Sequence, residues 1–296
     1  MFVQIIYRGE KYEQHFTFLT IIATPAYYII RNYLSKTCVH NKSDFYYLNT
    51  FFSIISTIVL AIVAAVTKAP LPSAYTVVMG LVFGVLTALV TIFNMHALEC
   101  GPMSYTSLIM TAAMIFPALS GYFFFGESLG AFKIAGMILM LFSLFLSVYN
   151  KNGDEKKANK KWFLFSILTM ICNGSIGIMQ KIHQSSVHRG ELLYFLIIAF
   201  VFSSIYSFIG LVFFEKNKKI TAERHKFVSP VFGLTVLSGV LIAASNLINL
   251  YLSGVMKSII FFPVLNSANL FILIFASSVL FKEKLSFTKW IGIIIG

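Results

Sequence analysis

Residues 123–136 read FFFGESLGAFKIAG and residues 279–292 read VLFKEKLSFTKWIG. Each sets an apolar run against a short polar link with one glutamate, Glu127 or Glu283. Each then opens a second apolar run with a basic residue, Lys133 or Lys289, and a glycine, Gly136 or Gly292. A chain with only 11 acidic residues in 296 that writes this arrangement twice carries an internal repeat.

Working outward, the echoes continue in the same order. FLTIIATPAYYIIRNYLSK (18–36) lies over FLFSILTMICNGSIGIMQK (163–181), pairing Lys36 with Lys181. Asp44 and Glu191 each precede the next apolar run, and MHALECGPMS (95–104) lies over INLYLSGVMK (248–257), pairing Gly101 with Gly254. The one link polar enough to divide the chain, NKNGDEKKANKK (150–161), sits at its midpoint. The sequence therefore divides into a first repeat at 1–150, a Lys-rich linker at 151–161 and a second repeat at 162–296.

Composition says where such a chain lives. It is 58% hydrophobic and 11% charged, with a mean hydropathy of +0.82, so it cannot solvate itself in water. Ten apolar segments are bounded by charge or by Gly, Pro and Ser: 17–35, 46–67, 74–98, 104–126, 131–149, 162–183, 192–214, 231–252, 257–281 and 288 onward. A helix needs about 20 apolar residues to cross the hydrocarbon, and the tenth segment is cut short after IGIIIG. A C-terminal truncation of about ten residues is expected, since half a span leaves backbone groups unsatisfied in lipid. The fold class expected is an all-α integral membrane protein of ten transmembrane helices, the tenth truncated. Five spans per repeat is an odd number, so the second copy enters from the opposite face and the repeats are inverted, as in many secondary transporters.

The net charge of +12 does not point to nucleic acid, because Lys and Arg sit in short links rather than on one amphipathic face. Positive-inside bias and anionic head groups account for them. Cys38, Cys100 and Cys172 show no paired spacing, which argues against a disulfide framework or a metal site. The opening MFVQIIYRGEKYEQH lacks the pattern of a cleavable signal.

Residues 97–144 (ALECGPMSYTSLIMTAAMIFPALSGYFFFGESLGAFKIAGMILMLFSL) and 251–292 (YLSGVMKSIIFFPVLNSANLFILIFASSVLFKEKLSFTKWIG) resemble the third to fifth and the eighth to tenth spans of the drug/metabolite transporter superfamily, in particular its EamA-type members. The resemblance implies export of small metabolites, amino acids, sugars or drugs from the cell through the cytoplasmic membrane, without a bound cofactor and without enzymatic activity. It implies a cavity lined by spans one, three, four, six, eight and nine. The partners expected are a small-molecule substrate and the lipid bilayer, with a homodimer admitted and nucleic acid excluded. Orientation stays open: the Lys-rich links after odd-numbered segments favour external termini, whereas the resemblance implies cytoplasmic ones.

No Asp or Glu falls mid-span, which disfavours carboxylate-driven proton antiport. Uncharged polar residues are the better lead. Asn94 and His96 lie on the third segment, Asn173 and Gln180 on the sixth, Asn246 and Asn249 on the eighth, Asn266 and Asn269 on the ninth, and Tyr27 on the first. Amides both donate and accept, which suits amino and hydroxyl groups of a substrate. Spacing of three residues puts Asn246 with Asn249, and Asn266 with Asn269, on one face. The alternative is interhelical glue, worth about 0.6 kcal/mol per bond; for Tyr27 the alternative is an interfacial aromatic belt. Tyr251 is assigned to that belt, Lys36 and Lys181 to snorkelling toward head groups, and Gly80, Gly84, Gly136, Gly177 and Gly239 to close helix contacts. Glu127 and Glu283 are expected to shape a turn and cap a helix N-terminus. Alternative functions are a flippase subunit, a multidrug-type exporter, a membrane enzyme on lipid-linked substrates, or a scaffold that transports nothing.

Overall fold

A computed structural model of the protein describes residues 13–100, 106, 109–110, 112–128, 130–148, 159–215 and 230–280. Every regular element among them is helical. In chain order the α-helices are α1 (Glu13–Cys38), α2 (Lys42–Thr67), α3 (Ala74–Cys100), α4 (Ile115–Phe125), α5 (Ala131–Val148), α6 (Lys160–Ser185), α7 (Leu192–Glu215), α8 (Pro230–Val255) and α9 (Ser258–Leu280), with a single 3-10 turn at Arg189–Glu191 leading into α7. They follow the first nine apolar segments in order. The tenth segment, with Glu283, Lys289 and Gly292, lies outside the described residues.

Among the described residues, five helices are long and apolar enough to cross a membrane: Lys42–Thr67, Ala74–Cys100, Lys160–Ser185, Arg189–Phe214 and Val231–Val255. The 26 residues of α2 span about 39 Å at 1.5 Å each, more than the hydrocarbon thickness. α1 also has 26 residues and runs through Pro25, but Arg31, Asn32 and Lys36 dilute its apolar character. α4 is apolar and shorter. The segment expected at 104–126 is broken by a turn at Ala113 and Met114 before α4 begins at Ile115.

Local chemistry sets the helix ends. Asn41 caps α2 by accepting from the Asp44 N–H at 3.0 Å, and Asp44 in turn accepts from the His40 N–H at 3.1 Å, a reciprocal arrangement that satisfies two free donors. α2 stops where Lys68 turns left-handed (φ 51°) and the Ala69 N–H closes on the Ala64 carbonyl at 3.0 Å. α4 stops at Gly126 (φ 64°), which carries no Cβ to oppose that conformation.

The chain divides into two compact units, and each draws helices from both sides of the polar link. The first joins Met1–Val85 to His183–Tyr251 and holds α1, α2, the start of α3, α7 and most of α8. Its centre packs Tyr27, Leu34 and Cys38 of α1 against Leu48 and Phe52 of α2 and Ile242 of α8. Small residues let its helices close up, which matters in lipid, where apolar surface alone does not drive helices together. A Cβ on Gly80 would stand 2.9 Å from the Phe195 carbonyl oxygen, and one on Gly84 2.9 Å from the Phe202 Cβ, so α3 lies directly on α7. Ser56 donates to the Gly239 carbonyl at 2.9 Å, and Ser53 meets Ser203 at 3.0 Å.

The second unit joins Leu86–Ile182 to Leu252–Gly296 and holds the rest of α3, α4, α5, most of α6 and α9. α9 packs on α4 and more lightly on α5. Gly174 and Gly177 of α6 lie against Phe116 and Pro117 of α4. Gly136 corrects the expectation of a close contact: no described atom comes within 4 Å of where its Cβ would be. Its helix turns Ile138, Leu139 and Phe142 outward, so α5 is a peripheral helix at this position.

Candidate functional site

The amide pairs of α8 and α9 share one pattern. In the first unit Asn246 spends an amide N–H on the Ile242 carbonyl of its own helix at 2.9 Å. One helical turn on, the buried Asn249 Oδ1 has no hydrogen-bond partner among the described residues. In the second unit Asn266 donates to the Phe262 carbonyl at 2.7 Å, and the buried Asn269 Oδ1 has no partner among the described residues. Helix geometry explains the first member of each pair, because a short polar side chain reaches the carbonyl one turn back. The second member is the chemically open one, since buried polar atoms without partners are few in folded proteins. Each pair therefore offers one acceptor to a hydrogen-bond donor.

The other sequence candidates are placed differently. Asn173 donates to the Met110 carbonyl at 3.2 Å, a link across the second unit. Gln180 is buried on α6 and Asn94 half-buried on α3. His96 sits near the end of α3 with its side chain 40% exposed, its Nδ1 3.3 Å from Glu99 on the same helix and its ring stacked on Phe165. Tyr27 is buried in the first unit's core and stacks on Tyr28 at 4.3 Å. Tyr251 is buried as well, edge-on to Phe16 at 5.6 Å, which corrects its assignment to an exposed interfacial belt.

Lys181 corrects the snorkelling expectation. Its side chain is 8% exposed and its ammonium lies 3.3 Å from Glu127, itself 7% exposed, while donating to the Met256 carbonyl at 2.9 Å. Glu127 also accepts from the Ser258 N–H at 2.8 Å and the Ile259 N–H at 3.1 Å. The glutamate of the opening motif does cap a helix, but the helix is α9, far along the chain. Burial pushes the Glu127 carboxyl up, yet the two backbone donors and Lys181 outweigh it and hold the group below its ordinary value. The side chain of Lys36 and the whole of Glu283 lie outside the described residues.

A second capping carboxylate stands in the first unit, at the acid that the repeat pairs with Asp44. Glu191, just before α7, accepts from Ser73 at the start of α3, through the backbone N–H at 2.8 Å and the hydroxyl at 2.7 Å. His188 Nδ1 lies 3.0 Å from its other oxygen. Beside it, His183 at the end of α6 is fully buried, with Nε2 3.1 Å from the Thr76 hydroxyl and Nδ1 3.1 Å from the Gln184 amide nitrogen. Sequence reading missed His183 because it ends an apolar run where a polar residue is unremarkable. The available signal was His183, His188 and Glu191 crowded into nine positions.

Comparison with known proteins adds to this geometry. No curated protein matches the sequence. One solved crystal structure, described only as that of a protein, is 12% identical with a TM-score of 0.72, covering 97% of this chain and 94% of that one; at that identity it speaks for the fold alone. The family model of EamA-like transporters matches residues 16–149, from α1 past the end of α5. That stretch is similar to the EamA-like transporter family, part of the drug/metabolite transporter superfamily.

Proposed function

We propose that the chain is a secondary transporter that exports small polar metabolites, amino acids or related compounds among them, by alternating access between two inverted five-helix repeats. The family match carries the transporter reading. Support for inversion comes from which helices pair. α2 and α7 occupy the same place in the two sequence repeats, and they pack together in the first unit. Tyr46 stacks on Phe214 while Ser53 meets Ser203, so one helix ascends as the other descends. α4 and α9 are likewise repeat mates, and they pack together in the second unit. Helices related by a twofold axis in the membrane plane meet in this way.

The open acceptors support a substrate with hydrogen-bond donors such as amino, amide or hydroxyl groups. Asn249 and Asn269 carry them, one in each unit, on helices made mostly of apolar residues. Intramembrane polar groups left unpaired are costly and mark substrate pathways. An untargeted metabolite comparison between overproducing and deleted cells identifies the compound. Flux of that compound is then measured in reconstituted vesicles. Asn249→Leu and Asn269→Leu should each lower flux about threefold to tenfold, the worth of one net hydrogen bond of about 0.5–1.5 kcal/mol. Unchanged flux in both variants, at normal protein levels, removes these residues from the pathway.

A further inference from the structure

The hydrogen bonds around His183 leave its protonation state no freedom. The Gln184 amide nitrogen can only donate, and it also points at the Arg189 carbonyl at 3.4 Å, so His183 Nδ1 is the acceptor of their 3.1 Å contact. The ring proton is therefore on Nε2, where the Thr76 hydroxyl receives it. A second proton would set an N–H against the Gln184 N–H and would place a full charge on a ring with no exposure to water.

Among the described residues Glu191 alone would favour that charge in place, and the loss of water around the buried ring outweighs it. From α3, the Tyr75 ring lies parallel to the His183 ring at 6.2 Å, and from α7 the Phe195 ring lies at 4.5 Å. Glu191, the one carboxylate facing this cluster among the described residues, is already held by Ser73 and by His188. Arg189 contributes its carbonyl, and Lys181, two residues earlier on α6, is engaged with Glu127.

We infer that His183 is a proton-binding site available only when the junction of the α3 start, the α6 end and the α7 start comes apart. Closure of this junction and occupancy by a proton exclude each other. Once exposed, an imidazole takes a proton below about pH 6.5, and the open junction gains population tenfold for each pH unit below that value. Acid on the side this junction faces therefore holds it open. A proton gradient then biases the conformational equilibrium without any carboxylate in mid-membrane. This goes beyond the transport reading, and its test needs no substrate.

The test is amide hydrogen exchange of the full chain in nanodiscs, followed by mass spectrometry of peptides covering 183–195. After correction for intrinsic exchange, the unmodified protein should exchange there about tenfold faster at pH 5.5 than at pH 7.5. His183→Gln, with His183→Asn as a second variant should the first fail to fold, should remove the pH dependence, and His188→Gln should retain it. Equal pH dependence in the protein and the folded His183 variant overturns the inference. So does loss of the dependence in His188→Gln alone.

Discussion

Glu127→Gln removes one charge from a place where three elements converge. The carboxylate holds the first two amides of α9 and the ammonium of Lys181, at 2.8, 3.1 and 3.3 Å. The glutamine keeps one acceptor, enough for one of the two backbone donors, and turns an N–H toward the other. Lys181 is left charged and buried. Breaking a buried pair by removing one partner costs about 3–5 kcal/mol; the retained acceptor returns about 1 kcal/mol of that, leaving about 2–4 kcal/mol. Thermal unfolding in detergent should fall by roughly 4–16 °C, at about 2–4 °C per kcal/mol. Lys181→Met should cost a similar amount, and the double variant should cost less than the two single losses together by about 1–3 kcal/mol. Because the pair is buried, 1 M salt should change little. The sign with pH follows from the lowered Glu127 carboxyl. Its contribution is complete above the ordinary carboxylate value and is lost as pH falls through the lower folded value, so the gap to Glu127→Gln should be constant near neutrality and close only in strong acid. A melting temperature within one degree of the parent, or strictly additive single variants, would refute the reasoning.

Other measurements probe the packing and the caps. Gly80→Ala should destabilise by about 1–3 kcal/mol in thermal melts, because its Cβ meets a backbone oxygen that cannot rotate away, whereas Gly136→Ala, in open space, should lie within about 0.5 kcal/mol of the parent. Asn41→Ala should cost about 1 kcal/mol by the same assay and raise exchange at the first turn of α2, where the cap on Asp44 is lost.

Helix number and order along the described chain could be read from apolar segment lengths because each helix must supply its own backbone partners in lipid. The third segment, expected at 74–98, is Ala74–Cys100, and the eighth, expected at 231–252, is Pro230–Val255. Gly80 and Gly84 were legible as a contact for the same local reason: absence of a side chain is visible in sequence, and its use is to admit a neighbour. Partners across the chain were not legible. Nothing near Glu127 says that its carboxylate reaches Ser258, and nothing near Lys181 says that it will be buried rather than at the head groups, since both depend on which helix ends meet. The amide pairs fall between these cases. Their spacing was plain, but which member bonds back to its own helix is a matter of rotamer that spacing cannot decide.

The interleaving of the two units bears on how the chain comes into being. As the ribosome delivers the first five helices, Tyr46, Ser53, Gly80 and Gly84 lie in the bilayer without the surfaces that cover them, because those surfaces belong to α7. The early half must therefore wait, inserted and unmated, until Leu192–Glu215 has been synthesised. Glu127 likewise waits for an ammonium and two amides that lie more than fifty residues downstream. Assembly of either unit is a late, post-insertion event, and during that interval the nascent chain presents these unmated contact faces to whatever insertion factor stands beside it.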